Sequence, residues 1–500
     1  MLETASLFTD GGVLCRDREI RIFGRADSGK TVTVRLRDSR GNLLAEERGT
    51  AGNNRFEITL PPQRAQTGCT LTVVSENEQT TASDIAIGDV YLAGGQSNME
   101  LELRNSRGGI SQVRDDSLLR FFNVPRKARV CAEQQQALRE TRWQPVTRET
   151  AGYNSAAASI FGDLMRKKHP EIPVGIIGCY WGGTSVTCWM DRETLGSLSE
   201  GIRYEREYET RCAGKTLEQY LPEEAAFQQY TEDWNRKAEE YRAEHPDVDW
   251  EQTEKAIGTF IWDPPAGPGS PYRPAGLADS MLREIAPVTL TAVLYYQGEE
   301  DTGRTDQYDV LMTAMIRYWR KLFRNAGLPF LFVQLPMWID LGGKDTFTWA
   351  RTRIAQAAVR DSVRNTGMIC LLDEGEYGNI HPVNKRPVGE RLAELAETMI
   401  FGGPGMESPR AVGRFVRGDT MTVLLSANVT TKDGASPRLL EIAGEDGRFV
   451  PAEGEVSGST LRVHAEQTEH PVSVRYAWTD WSDQVNLTGE NGLPLEPFEL

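Results

Sequence analysis

From about residue 85 to residue 400, short apolar runs alternate with longer amphipathic segments. The apolar runs have the length of strands, and the amphipathic segments have the periodicity of helices. Strands are predicted at 90–93, 174–178, 290–296, 330–334 and 368–372, and helices at 156–168, 280–285, 308–324, 350–364 and 388–400. This alternation predicts an α/β fold in which helices cover both faces of a parallel sheet. Functional loops are then expected at the carboxyl ends of the strands.

Two β-rich regions flank this predicted α/β region, 86–405. Residues 1–85 show strand-like alternation broken by Gly, Asp and Asn turns, which predicts an antiparallel sandwich with a scaffolding role. The alternation returns in residues 406–500 and predicts a second β-domain. A polar stretch at about 191–259, rich in Glu, Arg, Lys and Tyr, predicts a helical insertion that shapes the cleft or shields a sheet edge.

Composition excludes several classes of protein. A formal net charge of −16 argues against a nucleic-acid or anionic-membrane partner. The sequence shows neither a signal-peptide pattern nor an apolar run that could span a membrane, so we expect a cytoplasmic protein, although a chain that had lost a leader would look the same. Seven scattered cysteines and the absence of zinc-binding spacings predict neither a disulfide framework nor a metal site, and we expect no cofactor.

Ser97 lies where the first predicted strand gives way to a helix. The strand at 90–93 stops at Gly94-Gly95, and a helix start follows at Asn98. A hydroxyl at such a turn can meet the N–H groups of the helix N-terminus, which is the geometry of a serine nucleophile. A serine here is also typical of a helix cap. Met99 excludes the Gly-x-Ser-x-Gly elbow of the α/β-hydrolases.

A serine nucleophile needs a base, and the chain has five histidines. His169 and His245 each precede a proline at the end of a charged segment, which indicates surface turns. His464 and His470 belong to the C-terminal β-domain. His381 directly follows a predicted sheet strand and precedes a helix. We therefore predict acyl transfer with His381 as general base.

The oxyanion of an acyl-transfer reaction needs hydrogen-bond donors. The backbone N–H of Ser97 is one candidate. Gly182 follows the second predicted strand and lets the backbone approach a ligand closely, although a plain glycine turn explains it equally well. Gln297 ends the third predicted strand, where its amide could donate.

Four ordered motifs resemble the blocks of the bacterial sialate O-acetylesterase family, a branch of the SGNH hydrolases. They are Gly95-Gln-Ser-Asn-Met99, Gly178-Cys-Tyr-Trp-Gly-Gly-Thr184, Tyr296-Gln-Gly-Glu299 and Ile380-His-Pro-Val-Asn-Lys385. Stretches at 272–281, 474–478 and 492–498 extend the resemblance over essentially the whole chain. The resemblance implies an SGNH-type fold and a serine esterase that removes O-acetyl groups from a sugar, specifically a sialic acid.

The resemblance also implies roles for particular residues. Ser97 would be the nucleophile and His381 the base, with Gly182 and Gln297 as oxyanion-hole candidates. Further substrate-binding candidates are Gln96, Trp181 and Asp301. Four aromatic side chains could stack on a sugar, although each is more typical of a core residue: Trp181, Trp189, Trp338 and Tyr296.

The chain departs from the family pattern at two positions. Asp301 stands where an Asn is expected, and an ionised carboxylate cannot donate to an oxyanion, so Gln297 is the preferred donor. Gly378 and Asn379 stand where relatives carry an Asp before the histidine. The partner of His381 is then Glu376, which we predict, or a backbone carbonyl, or Asn379.

Two rival functions remain, and the departures at residues 301 and 378–379 motivate only the second. One is the same chemistry on another acetylated carbohydrate, such as xylo-oligosaccharides. The other is a carbohydrate-binding protein whose catalytic site has decayed.

Overall fold

The structure, a computed structural model, describes residues 1–245, 248 and 250–500; residues 246, 247 and 249 of the predicted insertion lie outside the described residues. The N-terminal strands are β1 (Leu2–Thr4), β2 (Val13–Cys15), β3 (Ile20–Ala26), β4 (Thr31–Arg37), β5 (Leu43–Thr50), β6 (Phe56–Leu60) and β7 (Gln66–Ser75). The strands of the central sheet are β8 (Glu78–Gly95), β9 (Asp116–Asn123), β10 (Gln144–Val146), β11 (Val174–Tyr180), β12 (Ala292–Tyr296), β13 (Phe330–Val333) and β14 (Thr366–Ile369). The C-terminal strands are β15 (Ala411–Arg417), β16 (Thr420–Leu425), β17 (Val429–Thr431), β18 (Leu440–Ala443), β19 (Phe449–Pro451), β20 (Glu453–Ser457), β21 (Thr460–His464), β22 (Ser473–Tyr476), β23 (Leu487–Gly489) and β24 (Phe498–Glu499).

All of the described helices lie between residues 86 and 405. They are α1 (Ser97–Glu100), α2 (Ala132–Glu140), α3 (Ala156–Lys168), α4 (Arg192–Gly196), α5 (Ser199–Cys212), α6 (Leu217–Glu244), α7 (Trp250–Ile257), α8 (Arg283–Ile285), α9 (Thr305–Leu322), α10 (Thr348–Ser362) and α11 (Arg386–Ala396). Short 3₁₀ turns occur at Leu103–Asn105, Gly109–Gln112, Ala151–Tyr153, Val186–Trp189 and Glu299–Arg304, and π-helical turns at Ala278–Leu282 and Glu397–Phe401.

The central sheet has the strand order β10-β9-β11-β8-β12-β13-β14. All neighbours in it are parallel except the edge strand β10, which runs antiparallel to β9. The sheet therefore contains two strands beyond the five predicted. β9 was not predicted because Arg120 interrupts its apolar run. The Arg120 side chain is nevertheless buried, and it donates hydrogen bonds to Gly11 O and to the Asp84 carboxylate. β10 has only three residues, one of them Pro145.

Alternate residues of β8 face two different hydrophobic clusters, as expected for a strand covered on both sides. Val90 and Leu92 belong to the cluster that includes α9, and Tyr91 and Ala93 belong to the cluster that includes α3 and α11. Every one of these four side chains is fully buried. The helical layers thus fix β8 and the turn that follows it.

β8 is a single strand of 18 residues that belongs to two structures at once. Its first half pairs with β7 and β2, and its second half pairs with β11 and β12. Residue 85, the predicted end of the N-terminal region, lies inside it. The N-terminal strands and the central sheet are therefore joined by continuous strand rather than by a linker.

Helices α4 to α7 occupy the predicted insertion and are followed by the Pro/Gly-rich segment 259–276. This segment packs on the insertion: the hydroxyl of Tyr208 donates to Gly267 O at 3.0 Å. In the part of the chain that the structure describes, no helix is long and apolar enough to cross a membrane. Within the same part, no cluster of His, Cys, Asp and Glu side chains is arranged to hold a metal ion.

Candidate active site

Ser97 is the first residue of α1, directly after β8. Gly95 makes this turn possible, because its φ of +129° favours glycine and a Cβ there would overlap the Tyr296 carbonyl of β12. The next residue, Gln96, donates its backbone N–H to the same carbonyl at 3.0 Å. The turn is thereby held against the carboxyl end of β12.

His381 lies on the loop between β14 and α11, and its Nε2 is 2.8 Å from Ser97 Oγ. Burial, with a smaller contribution from the Lys385 charge, lowers the pKa of the His381 imidazole to about 4. The ring is therefore neutral at neutral pH. With its proton on Nδ1, it accepts a hydrogen bond from the serine hydroxyl and is ready to accept the proton itself.

Asn98 ties the serine turn to the histidine loop. Its Nδ2 donates to Ile380 O at 2.9 Å, and Ile380 immediately precedes His381. The same amide also donates to the buried carboxylate of Glu299. Because Asn98 is itself the neighbour of Ser97, these bonds fix the separation of the two candidate catalytic side chains.

Lys385 completes this buried network by donating from Nζ to Asn98 Oδ1. Burial lowers the pKa of the Lys385 ammonium to about 7, while the charges of Glu299 and Glu376 oppose that shift. None of Asn98, Glu299 and Lys385 was predicted as a site residue. The signal was present, because each belongs to one of the motifs that carry the family resemblance.

Glu376, the predicted partner of His381, makes its hydrogen bonds elsewhere. Its carboxylate accepts from Asn379 Nδ2 at 2.8 Å and from the Val383 N–H at 2.9 Å. Asn379 in turn accepts the His381 backbone N–H through Oδ1 at 3.0 Å. Among the described residues, no carboxylate is hydrogen-bonded to the His381 ring. The structure therefore brings Ser97 and His381 together as a pair and uses Glu376 to brace the loop.

Replacing Glu376 with glutamine is expected to lower kcat by less than about tenfold and to leave the low-pH limb of kcat/KM unmoved. The amide keeps one of the two acceptors, and one loop hydrogen bond contributes only ~1 kcal/mol. The measurement is a pH–rate profile of the purified variant, with Glu374→Gln on the same loop as the matched control. A hundredfold loss together with a limb shifted to lower pH would instead identify Glu376 as the partner of the imidazole.

Gly182 lies beside the candidate nucleophile. A Cβ built on it would be 3.3 Å from Ser97 Cβ, so the two backbones are in close contact. The Gly182 N–H donates to the carboxylate of Glu100, which also pairs with Arg126. The Ser97 N–H lies at the first position of α1, where a helix leaves its N–H groups without intrahelical partners. These two N–H groups are the candidate oxyanion donors, and that of Gly182 is occupied by Glu100.

Both amide hydrogens of Gln297 are used in hydrogen bonds within the protein, so neither is available to an oxyanion. Its Nε2 donates to Thr184 O at 3.1 Å and to the Asp301 carboxylate at 2.7 Å. Its Oε1 accepts from the Tyr308 hydroxyl at 3.1 Å. With the side chain 1% exposed, Gln297 is a buried connector between loops rather than a donor that faces the serine.

Asp301 accepts three hydrogen bonds in the same buried network. They come from Gln297, from the Ser185 hydroxyl at 2.6 Å and from the Val186 N–H at 3.0 Å. A carboxylate suits this position because all three neighbours are donors. The departure from the expected Asn thus accompanies a structural role, since Asp301 holds the loop that follows β11.

The remaining predicted substrate-binding residues differ in how deeply they are buried. Trp189 and Tyr296 are fully buried and belong to the core, so they cannot stack on a sugar. Trp338 is partly buried and packs on Trp349, with ring centroids 4.7 Å apart. Trp181 is also partly buried, next to Gly182. Gln96 is buried, and its Oε1 accepts from the N–H groups of Gly298 and Glu300 at 3.5 and 3.3 Å.

Comparison with known proteins confirms the predicted resemblance and the fold. Residues 258–396 match the family described as carbohydrate esterase, sialic acid-specific acetylesterase. The sialate O-acetylesterase of Rattus norvegicus is 24% identical, with 95% of this chain and 90% of that protein covered, and the Homo sapiens protein is 23% identical, with 95% and 88% covered. A carbohydrate acetylesterase from Xanthomonas citri has the same fold, with a TM-score of 0.77 and 25% identity over 100% of this chain and 99% of that one.

Proposed function

We propose that this chain, a carbohydrate esterase related to the sialate O-acetylesterases, removes O-acetyl groups from sialic acids with Ser97 as nucleophile and His381 as general base. The observation that carries the proposal is the 2.8 Å separation of His381 Nε2 and Ser97 Oγ at the carboxyl edge of the sheet. The reaction is assigned to the region 86–405. Seven free cysteines favour a reducing compartment such as the cytoplasm.

The proposed reaction has two steps. Ser97 Oγ attacks the acetyl carbonyl carbon while His381 Nε2 takes the hydroxyl proton, and the ester bond then breaks as His381 returns that proton to the sugar oxygen. Water, deprotonated by His381, next attacks the acetyl-enzyme and releases acetate and free serine. The N–H groups of Ser97 and Gly182 would hold the oxyanion, which requires the Glu100 carboxylate to leave Gly182.

The decayed-site alternative has less support. That alternative rested on Asp301 and on the absence of an Asp just before His381. Asp301, however, accepts three hydrogen bonds as an integral part of the fold. A neutral, desolvated imidazole in contact with the serine can serve as a base without a carboxylate partner. Hydrolysis of p-nitrophenyl acetate by the purified protein separates enzyme from binder, because a binder releases no p-nitrophenol.

Among sugar esters, O-acetylated sialic acid is expected to be hydrolysed with a higher kcat/KM than acetylated xylo-oligosaccharides. The relatives named above support this order, and Arg126, whose half-exposed guanidinium pairs with Glu100 beside the serine turn, adds a positive charge near the site. The measurement is acetate release from both substrates under the same conditions. Preference for the xylan fragments would favour the rival carbohydrate.

A further inference from the structure

A cavity of about 170 Å³ lies between the helical insertion and the carboxyl edge of the central sheet. Its walls come from α5, from the Pro/Gly-rich segment after α7 and from the loop after β12. The side chains that line it include Tyr204, Tyr208, Arg211, Trp262, Tyr272 and Glu300. Nothing in the proposed acetyl transfer uses any of these six.

The cavity adjoins the candidate active site on two sides. Gly183, which also lines it, follows Gly182, and Gly182 contacts Ser97. Glu300 donates its backbone N–H to Gln96 Oε1, and Gln96 precedes the serine. A ligand that fills the cavity would therefore lie next to a group bound at Ser97.

Trp262 is held in place but remains accessible. Its indole packs so closely on Gly183 that a Cβ there would overlap the ring, and Gly183 also has a φ of +68°. The ring of Tyr272 meets it edge-on, with centroids 5.4 Å apart, and Phe227 does so at 5.8 Å. The side chain is nevertheless 43% exposed. A braced, accessible aromatic face beside polar groups is the usual construction of a small-ligand site.

Glu300 and Arg211 supply the polar groups. Burial, and then the charge of Asp301, raises the pKa of the Glu300 carboxyl to about 7. Its oxygens can accept from hydroxyl groups, and the guanidinium of Arg211 can donate to them. Above pH 7, where the Glu300 carboxyl is ionised, a ligand with its own carboxylate would meet like charge there. This combination favours a neutral ring with several hydroxyl groups.

We propose that this cavity is a subsite for a neutral pyranose linked to the acetylated sugar, so that the enzyme prefers an acetylated oligosaccharide to an acetylated monosaccharide. The inference rests on the proposed esterase function, because it concerns the sugar next to the one that is deacetylated. Trp262 would contact the apolar face of the ring, while Glu300 and Arg211 would bind its hydroxyl groups.

The test compares chain length within two sugar series. The kcat/KM for O-acetylated sialyllactose is divided by that for free O-acetylated sialic acid, and the value for acetylated xylobiose by that for acetylated xylose. In the series that the enzyme uses, the wild-type ratio is expected to be greater than about 10. Trp262→Ala should lower this ratio about tenfold, because a central aromatic contact contributes an effect of that size. Ile261→Ala, at the neighbouring residue that is 67% exposed, is the matched control and should keep the wild-type ratio.

A second variant covers the case in which Trp262→Ala does not fold. Glu300→Gln keeps the shape of the side chain and removes its charge. It should therefore raise kcat/KM for an acetylated disaccharide whose second sugar is a uronic acid, relative to kcat/KM for one whose second sugar is neutral. A wild type without chain-length preference in either series overturns the subsite, as does either variant with wild-type ratios. If p-nitrophenyl acetate and the monosaccharide esters are still hydrolysed, the subsite alone has failed. If none is hydrolysed, the esterase function has failed.

Discussion

Replacing Ser97 with alanine is expected to lower kcat for p-nitrophenyl acetate and for acetylated sugars by about 10⁴ or more. Without Oγ no acetyl-enzyme can form, and His381 Nε2 loses the hydroxyl that lies 2.8 Å from it. The fold should persist, because the turn is held by Gly95, Gln96 and the Asn98 network rather than by the hydroxyl. The measurement is initial rate on the purified variant, together with its circular dichroism spectrum.

Ser111→Ala is a suitable control for this experiment. Ser111 is exposed, and among the described residues its hydroxyl donates only to the nearby Gly108 carbonyl. This variant should keep wild-type rates. If folded Ser97→Ala also kept them, Ser97 would not be the nucleophile.

Replacing His381 with alanine is expected to reduce kcat by a similar factor, since the base and the later proton donor are removed together. The wild-type pH profile tests the same group. A base works only when neutral, and burial lowers the His381 pKa to about 4. Activity should therefore be constant from neutral pH down to about pH 5 and be lost as the pH falls through about 4.

The position of that limb discriminates between two environments of the imidazole. A carboxylate hydrogen-bonded to the ring would stabilise its charged form and raise the pKa, whereas a desolvated ring near Lys385 has a lowered one. A limb at or above the ordinary histidine value of ~6.5 would contradict a His381 ring that is desolvated and has no carboxylate partner. The profile is measured as kcat/KM, which reports the free enzyme.

The proximity of Ser97 and His381 could be predicted from sequence because each lies on a segment that follows a recognisable strand. Ser97 follows an apolar run and a glycine pair, and His381 follows the strand at 368–372. Parallel strands in one sheet present such residues at the same edge, so proximity followed from the fold class. The prediction needed no knowledge of side-chain contacts.

Roles that depend on hydrogen-bond partners were less predictable. Gln297 lies where a donor was expected, but its amide is taken up by Thr184 and Asp301, which only the folded arrangement reveals. The same holds for Glu376, whose neighbours along the chain turned out to be its partners. A sequence shows which residues are near an edge, whereas the direction of each amide and carboxylate depends on packing.

Because β8 is continuous, the N-terminal strands that pair with it also influence the position of the turn after Gly95. In a strand the side-chain direction alternates, so a slip of one residue would reverse every side chain on it. Pairing with β7 and β2 sets the alignment of β8 before it enters the central sheet. That alignment decides which residue emerges at the turn after Gly95. The N-terminal strands thus help to fix the register of the strand that leads to Ser97, and an insertion or deletion in the half of β8 that pairs with β11 and β12 would move Ser97 relative to His381.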